Sequence, residues 1–156
     1  MFEEENAQWG LVHALVLDGK GGARSIARTE LDELQLQAHE SLWLHWDRSH
    51  PQTQTWLRQD SGLNEFACDL LLEESTRPRL VTLPDEQLLL FLRGVNLNPG
   101  AQPEDMVAVR IFADARRVIS LRLRPLLARL RALLRRSQAA TTAVLSFGPL
   151  ELDTAG

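Results

Sequence analysis

Residues 9–17, WGLVHALVL, carry apolar side chains on both alternating sets of positions. Trp9, Leu11, His13, Leu15 and Leu17 fall on one side of an extended chain, and Val12, Ala14 and Val16 on the other. That pattern predicts a strand covered on both faces. DGKGG at 18–22 is a turn, since glycine supplies the positive φ a tight reversal needs, and ARSIA at 23–27 is the returning strand. Residues 28–41 are polar, with a short helical stretch around LDELQLQ. LWLHWD, 42–47, is a third strand. SHPQTQTWLRQ then opens a helix: Ser49 caps it, Gln52 follows three residues later at capping-box spacing, and Pro51 lies in the first turn, where its missing N–H costs nothing.

A second helix is predicted over about 63–74, where Leu63, Phe66, Ala67, Leu70 and Leu71 repeat as one apolar stripe. Pro78 ends it and pushes Arg77 toward extended geometry. Strands follow. RLVTL (79–83) and QLLLFLRGV (87–95) join through the turn PDE; after the polar loop NLNPGAQPED, MVAVRIF (106–112) and RRVISLRLR (116–124) form a hairpin across ADA. In the last strand Ile119, Leu121 and Leu123 face one way, and Val118, Ser120, Arg122 and Arg124 the other. Pro125 starts a final helix whose stripe is Leu126, Leu127, Leu130, Leu133 and Leu134, with arginines around the rest. AVLSF in the tail has weak strand character. The order β-β-β-α-α-β-β-β-β-α predicts an α/β fold with a mixed sheet and helices packed on it.

Length and composition narrow the function. A chain of 156 residues, 44% hydrophobic and 24% charged, reads as one soluble domain, or one domain with an appendage, and can bury a core without cross-links. We place the domain at 1–136 and a truncated or disordered tail at 137–156. The single cysteine, Cys68, excludes an intrachain disulfide and fits a reducing compartment. MFEEENAQWG is not a signal peptide, and no apolar run reaches the roughly 20 residues a membrane span needs. The net charge of −4 hides a separation: residues 1–74 hold fourteen acids against five bases, and residues 110–138 hold nine arginines and one acid, Asp114. Negative overall charge, the absence of tyrosine and the leucine–arginine alternation argue against nucleic acid. An acidic protein surface, such as the acidic half of a neighbouring copy, fits the arginines better.

The densest chemistry is His45, Asp47 and His50. His45 and Asp47 lie two apart and share a strand face, and His50 can fold back, giving at most three metal ligands. This set is the candidate metal site, for zinc or magnesium held weakly. Capping explains the same residue types without a metal: Asp47 and Ser49 end the strand and start the helix. His13, between leucines, reads as a neutral buried histidine; His39 as exposed; Cys68 as a structural thiol. GKGG precedes a strand rather than a helix and lacks the spacing of a phosphate loop. No nucleophile, base or cofactor loop is present, so no catalytic or cofactor-binding residue is assigned and the chain is not read as an enzyme. A free-standing metal- or ligand-binding sensor module is the alternative these features allow.

Four stretches in order, LDGKGG (17–22), WLHWDRSHPQTQTWL (43–57), EESTRPRL (73–80) and VAVRIFADARRVISLRLRPLL (107–127), resemble the cytoplasmic N-terminal domain of ZntB-type zinc transporters in the CorA superfamily of divalent-cation transporters. The resemblance covers about residues 9–127. It implies an α/β/α sandwich with a mixed parallel and antiparallel sheet. It also implies a regulatory and assembly role on the cytoplasmic face of a membrane, and a pentamer in the full-length protein. There a stalk helix and two membrane spans, which are not in this chain, build the pore. In that superfamily metal sensing relies mostly on acidic groups at subunit contacts; Asp85, Glu86, Glu104 and Asp105 are the residues of that kind here. TTAVLSFGPLELDTAG departs from the family, which continues with helices.

Overall fold

The computed structural model describes residues 2–74, 77–102, 104 and 106–123, and the backbone of 144–147 and 150–153. A seven-stranded sheet runs in the order β2-β1-β3-β7-β6-β5-β4. Its strands are β1 (Leu11–Leu17), β2 (Ala23–Ser25), β3 (Ser41–Asp47), β4 (Arg79–Thr82), β5 (Leu88–Gly94), β6 (Val107–Ala113) and β7 (Arg117–Leu123). Two antiparallel halves meet at one parallel seam. β2, β1 and β3 form the first half, β4 to β7 form a meander, and β3 pairs with β7 in parallel from Leu42↔Arg117 to Asp47↔Arg122. A parallel neighbour cannot be reached by a hairpin, so the chain leaves β3 through α2 (Pro51–Gln59) and α3 (Glu65–Leu72) before the meander brings β7 back. The mixed sheet expected from the sequence is thus observed.

The core lies between one face of this sheet and the two helices. Ala14, Val16, Leu42, Leu44, Trp46, Leu89, Phe91, Phe112, Ile119 and Leu121 point inward from the strands; Trp56, Leu57, Ala67 and Leu71 meet them from the helices. Trp46 is fully buried and stacks on Trp56 with ring centres 4.4 Å apart. Arg110 also faces inward at 1% exposure, its Nη1 donating to the Leu71 carbonyl at 2.6 Å. Arg48 donates to the next carbonyl, Leu72. Two guanidiniums therefore meet the negative end of α3, where orphan carbonyls need donors. Burial, with Arg48 alongside, pushes the Arg110 pKa down to about 10.

Several expectations are corrected. The register of β1 against β3 slips between Leu11 and His13, a bulge that moves Leu11 to the core face with Ala14 and Val16. Strict alternation fails there, and His13 is exposed rather than buried. In α3 the buried face is Ala67, Cys68 and Leu71, while Phe66 stands 57% exposed, because Asn64 caps the helix and sets its rotation. The polar stretch forms a 3-10 turn at Arg28–Glu33, earlier than LDELQLQ. A short α1 (Glu3–Ala7) precedes β1; its buried Asn6 ties Ile26 and Arg28 across the β1–β2 edge. In the tail, β8 (Val144–Phe147) pairs with β9 (Leu150–Asp153) as a separate hairpin. The helix expected from Pro125 lies outside the described residues; α2 and α3 supply the helical side of the core.

Candidate functional site

The opposite, outer face of the sheet carries Trp43, His45 and Asp47 from β3, and Val118, Ser120 and Arg122 from β7, by the two-residue period of paired strands. His13 of β1 stands directly opposite His45. Three rings cluster there: His13 and His45 stack with centres 6.0 Å apart and planes 18° apart, and Trp43 lies 6.2 Å from His13 and 6.1 Å from His45. Ser120 Oγ accepts from Trp43 Nε1 at 3.0 Å and lies 2.7 Å from His45 Nδ1.

His45, Asp47 and His50 serve three local roles. Asp47 Oδ1 accepts from the Ser49 amide at 3.0 Å and from its hydroxyl; Oδ2 accepts from Arg122 Nη2 at 3.2 Å. Its carbonyl accepts from Thr53 Oγ1 at 2.8 Å. His50 sits at the N-cap of α2, and its Nδ1 accepts from the Gln52 amide at 3.2 Å. The cap is therefore His50 and not Ser49, because the helix begins at Pro51 and His50 is the residue that precedes it. Among the described residues, no three or more histidine, cysteine or acidic side chains converge where they could hold a metal ion. Sequence reasoning missed the partners that His45 does meet, His13 and Ser120, which are remote in the chain. Only the strand register reveals them.

Burial, then the nearby His13 and Arg122, pushes the His45 pKa below its ordinary 6.5, against the pull of Asp47. For Asp47 burial acts upward, but the Ser49 hydrogen bonds and Arg122 together hold its carboxyl below 3.8. The signs separate by pH. Below 6.5 the unfolded chain takes up the His45 proton before the folded one does, so stability falls as pH drops into that window. The Asp47 contribution is present above 3.8 and is lost as pH falls below it, through the depressed folded pKa. We expect His45→Gln to flatten the change in urea midpoint between about pH 7.5 and about pH 5.5, and Asp47→Asn, which removes the opposing pull on His45, to steepen it. Equal slopes in His45→Gln and the parent chain would exclude His45 as the titrating group.

The remaining candidates fall outside this cluster. His39 is exposed. Cys68 is 1% exposed, its Sγ lies 3.3 Å from the Leu57 carbonyl, and burial pushes its thiol pKa up, the environment of an inert thiol. Asp85 and Glu86 form the β4–β5 turn with φ of 59° and 58°. Glu104 is exposed, and Asp105 lies outside the described residues. The described arginines of the basic end are engaged within the fold: Arg110 on Leu71, Arg116 on the Gln37 and Glu40 carbonyls, Arg117 on the Ser61 carbonyl and Asp114, and Arg122 on Asp47. No helix among the described residues is long and apolar enough to cross a membrane.

Comparison with known proteins bears on this architecture. Residues 39–148 match the family described as CorA-like Mg2+ transporter protein. The chain is 64% identical over 123 residues to the divalent cation transporter CmaX of Pseudomonas aeruginosa, covering 79% of this chain and 37% of that protein. Its fold superposes on the structure of the full-length CmaX protein with a TM-score of 0.70 at 64% identity, over 80% of this chain and 38% of the other. It also superposes on the crystal structure of the ZntB cytoplasmic domain from Vibrio parahaemolyticus, with a TM-score of 0.59 at 29% identity, over 83% and 49%. The chain thus spans well under half the length of the full-length transporter it resembles.

Proposed function

The chain belongs to the family of CorA-like Mg2+ transporter proteins, and from that premise we propose that it is the cytoplasmic regulatory and assembly domain of a larger divalent-cation transporter. The family is one of ion transporters, not enzymes. The observation that supports this reading most directly is the superposition on a ZntB cytoplasmic domain over 83% of the chain, by a chain that spans 37% of a curated relative.

In this reading the domain works mechanically. Copies pack against one another in a pentamer beneath the pore. Zinc or magnesium at the contacts changes which packing is favoured, and the following segment carries the difference to the pore. A cation shifts such an equilibrium only by its differential affinity for the two arrangements. The acidic first half of the chain, fourteen acids against five bases over residues 1–74, raises the local cation concentration near the contacts.

The test uses the longer transporter that contains this domain, with and without residues 1–123. Zinc and magnesium flux into proteoliposomes is measured alongside sedimentation of the detergent-solubilised protein. Deletion is expected to abolish the dependence of flux on metal at the domain side and to lower the fraction of full oligomer. Unchanged metal dependence together with an unchanged sedimentation profile would exclude both roles.

A further inference from the structure

We propose that His13 and His45 form a two-imidazole site on the outer sheet face for a late first-row divalent cation, zinc being the representative, with Ser120 orienting one of the two ligands. The inference concerns this chain alone and does not depend on what a longer protein transports.

The geometry comes from the strand register. The β1 bulge releases His13 from the row of Leu11 and sets it opposite His45, a direct cross-strand pair. Zinc binds imidazole nitrogen at about 2.0–2.1 Å, which places the ion roughly 3 Å from each ring centre. Two rings sharing one ion then have centres roughly 5 to 6.5 Å apart, depending on the angle at the metal. The observed centres are 6.0 Å apart but the rings stack with planes 18° apart, so the exposed His13 turns about its side-chain torsions to bring a ring nitrogen to the ion that His45 holds.

Ser120 supplies the second element. A ligating histidine hands its other ring N–H to a fixed acceptor, which sets tautomer and ring orientation. Ser120 Oγ has two lone pairs. One accepts from Trp43 Nε1 at 3.0 Å, and the other faces His45 Nδ1 at 2.7 Å. With Nδ1–H donating there, Nε2 is left unprotonated as the donor atom. Beside His13 an open depression of about 290 Å³, lined also by Glu3, Asp47, His50 and Arg122 but not by His45, gives the His13 side of the pair access to water. The Arg122 charge opposes a cation here; Asp47, 3.2 Å from it, offsets that charge. Imidazole donors select zinc, nickel or copper over magnesium, which prefers oxygen. Two protein ligands give modest affinity, since a firm zinc site uses three or four.

The experiment titrates zinc chloride, and separately magnesium chloride, into the 156-residue chain while the histidine ring resonances and the heat of binding are followed. We expect one zinc per chain, with the His13 and His45 resonances shifting together and those of His39 and His50 unmoved. His13→Ala and His45→Gln should each weaken zinc binding at least tenfold, and Ser120→Ala about tenfold. His13 is exposed, so His13→Ala keeps the parent's urea midpoint and tests the site without loss of fold. Zinc affinity unchanged in His13→Ala, shifts confined to His39 or His50, magnesium binding equal to zinc, or no zinc binding at millimolar concentration would each overturn the proposal.

Discussion

Trp46→Ala is expected to lower the unfolding free energy by about 3–5 kcal/mol, read as a fall in urea midpoint at unchanged m-value. Trp46 lies one pair from the end of the parallel seam, paired with Leu121 on one side and Leu11 on the other, at 0% exposure. Its indole stacks on Trp56 of α2 at 4.4 Å, so one side chain joins both antiparallel halves of the sheet to the helical layer. Truncation removes the transfer energy of a large aromatic and leaves a cavity that three rigid elements cannot close. Single domains are stable by about 5–15 kcal/mol, so the loss is a large part of the whole. A measured change below about 1 kcal/mol would mean that the site collapses freely and that the seam is not the packing centre.

Gly10→Ala should cost about 2–4 kcal/mol, an effect that helix and strand propensities would not foretell. Gly10 has φ of +80° and joins α1 to β1, and a Cβ built there falls 2.5 Å from Thr53 Oγ1 and 2.6 Å from His50 Cβ. Those two residues open α2. Thr53 bonds the Asp47 carbonyl, and His50 caps Gln52, so relieving the clash disturbs both. Gly62 separates the two contributions. Its φ is +73°, and a methyl group there would meet nothing within 4 Å, so Gly62→Ala carries only the backbone strain of about 1 kcal/mol. If the two alanine variants shift the urea midpoint equally, the close approach of Gly10 to the first turn of α2 contributes nothing.

Much of the architecture was legible in local pattern. The seven sheet strands fall within a residue or two of the predicted runs, because alternation and turn residues are local signals with a fixed period. The inward set Ile119, Leu121 and Leu123 follows from the same period. The departures have local physical causes. At β1 one extra residue in a bulge reverses the faces on either side of it. At the start of α2, Ser49 and His50 are both able to cap, and the first helical turn beginning at Pro51 decides for His50. In α3 the Asn64 cap rotates Phe66 outward and Cys68 inward.

The candidate site was less legible. His45, Asp47 and His50 are neighbours in sequence, and proximity along the chain suggested a shared role. In the folded chain Asp47 turns to Arg122, His50 to Gln52, and His45 to Ser120 and His13. Contacts between residues 75 apart depend on which strands become neighbours and in what register, and no local pattern encodes that.

The sequence by itself determined the seven sheet strands, α2 and α3, their order, the inward face of most strands and membership in a class of sheet-and-helix domains, since these follow from period, turn chemistry and short motifs. Only the tertiary structure decided that β3 and β7 lie side by side, that His45 meets both His13 and Ser120, and that Arg110 enters the core to meet the end of α3. Those outcomes depend on which distant surfaces bury one another, and burial is a property of the assembled sheet rather than of any segment in it.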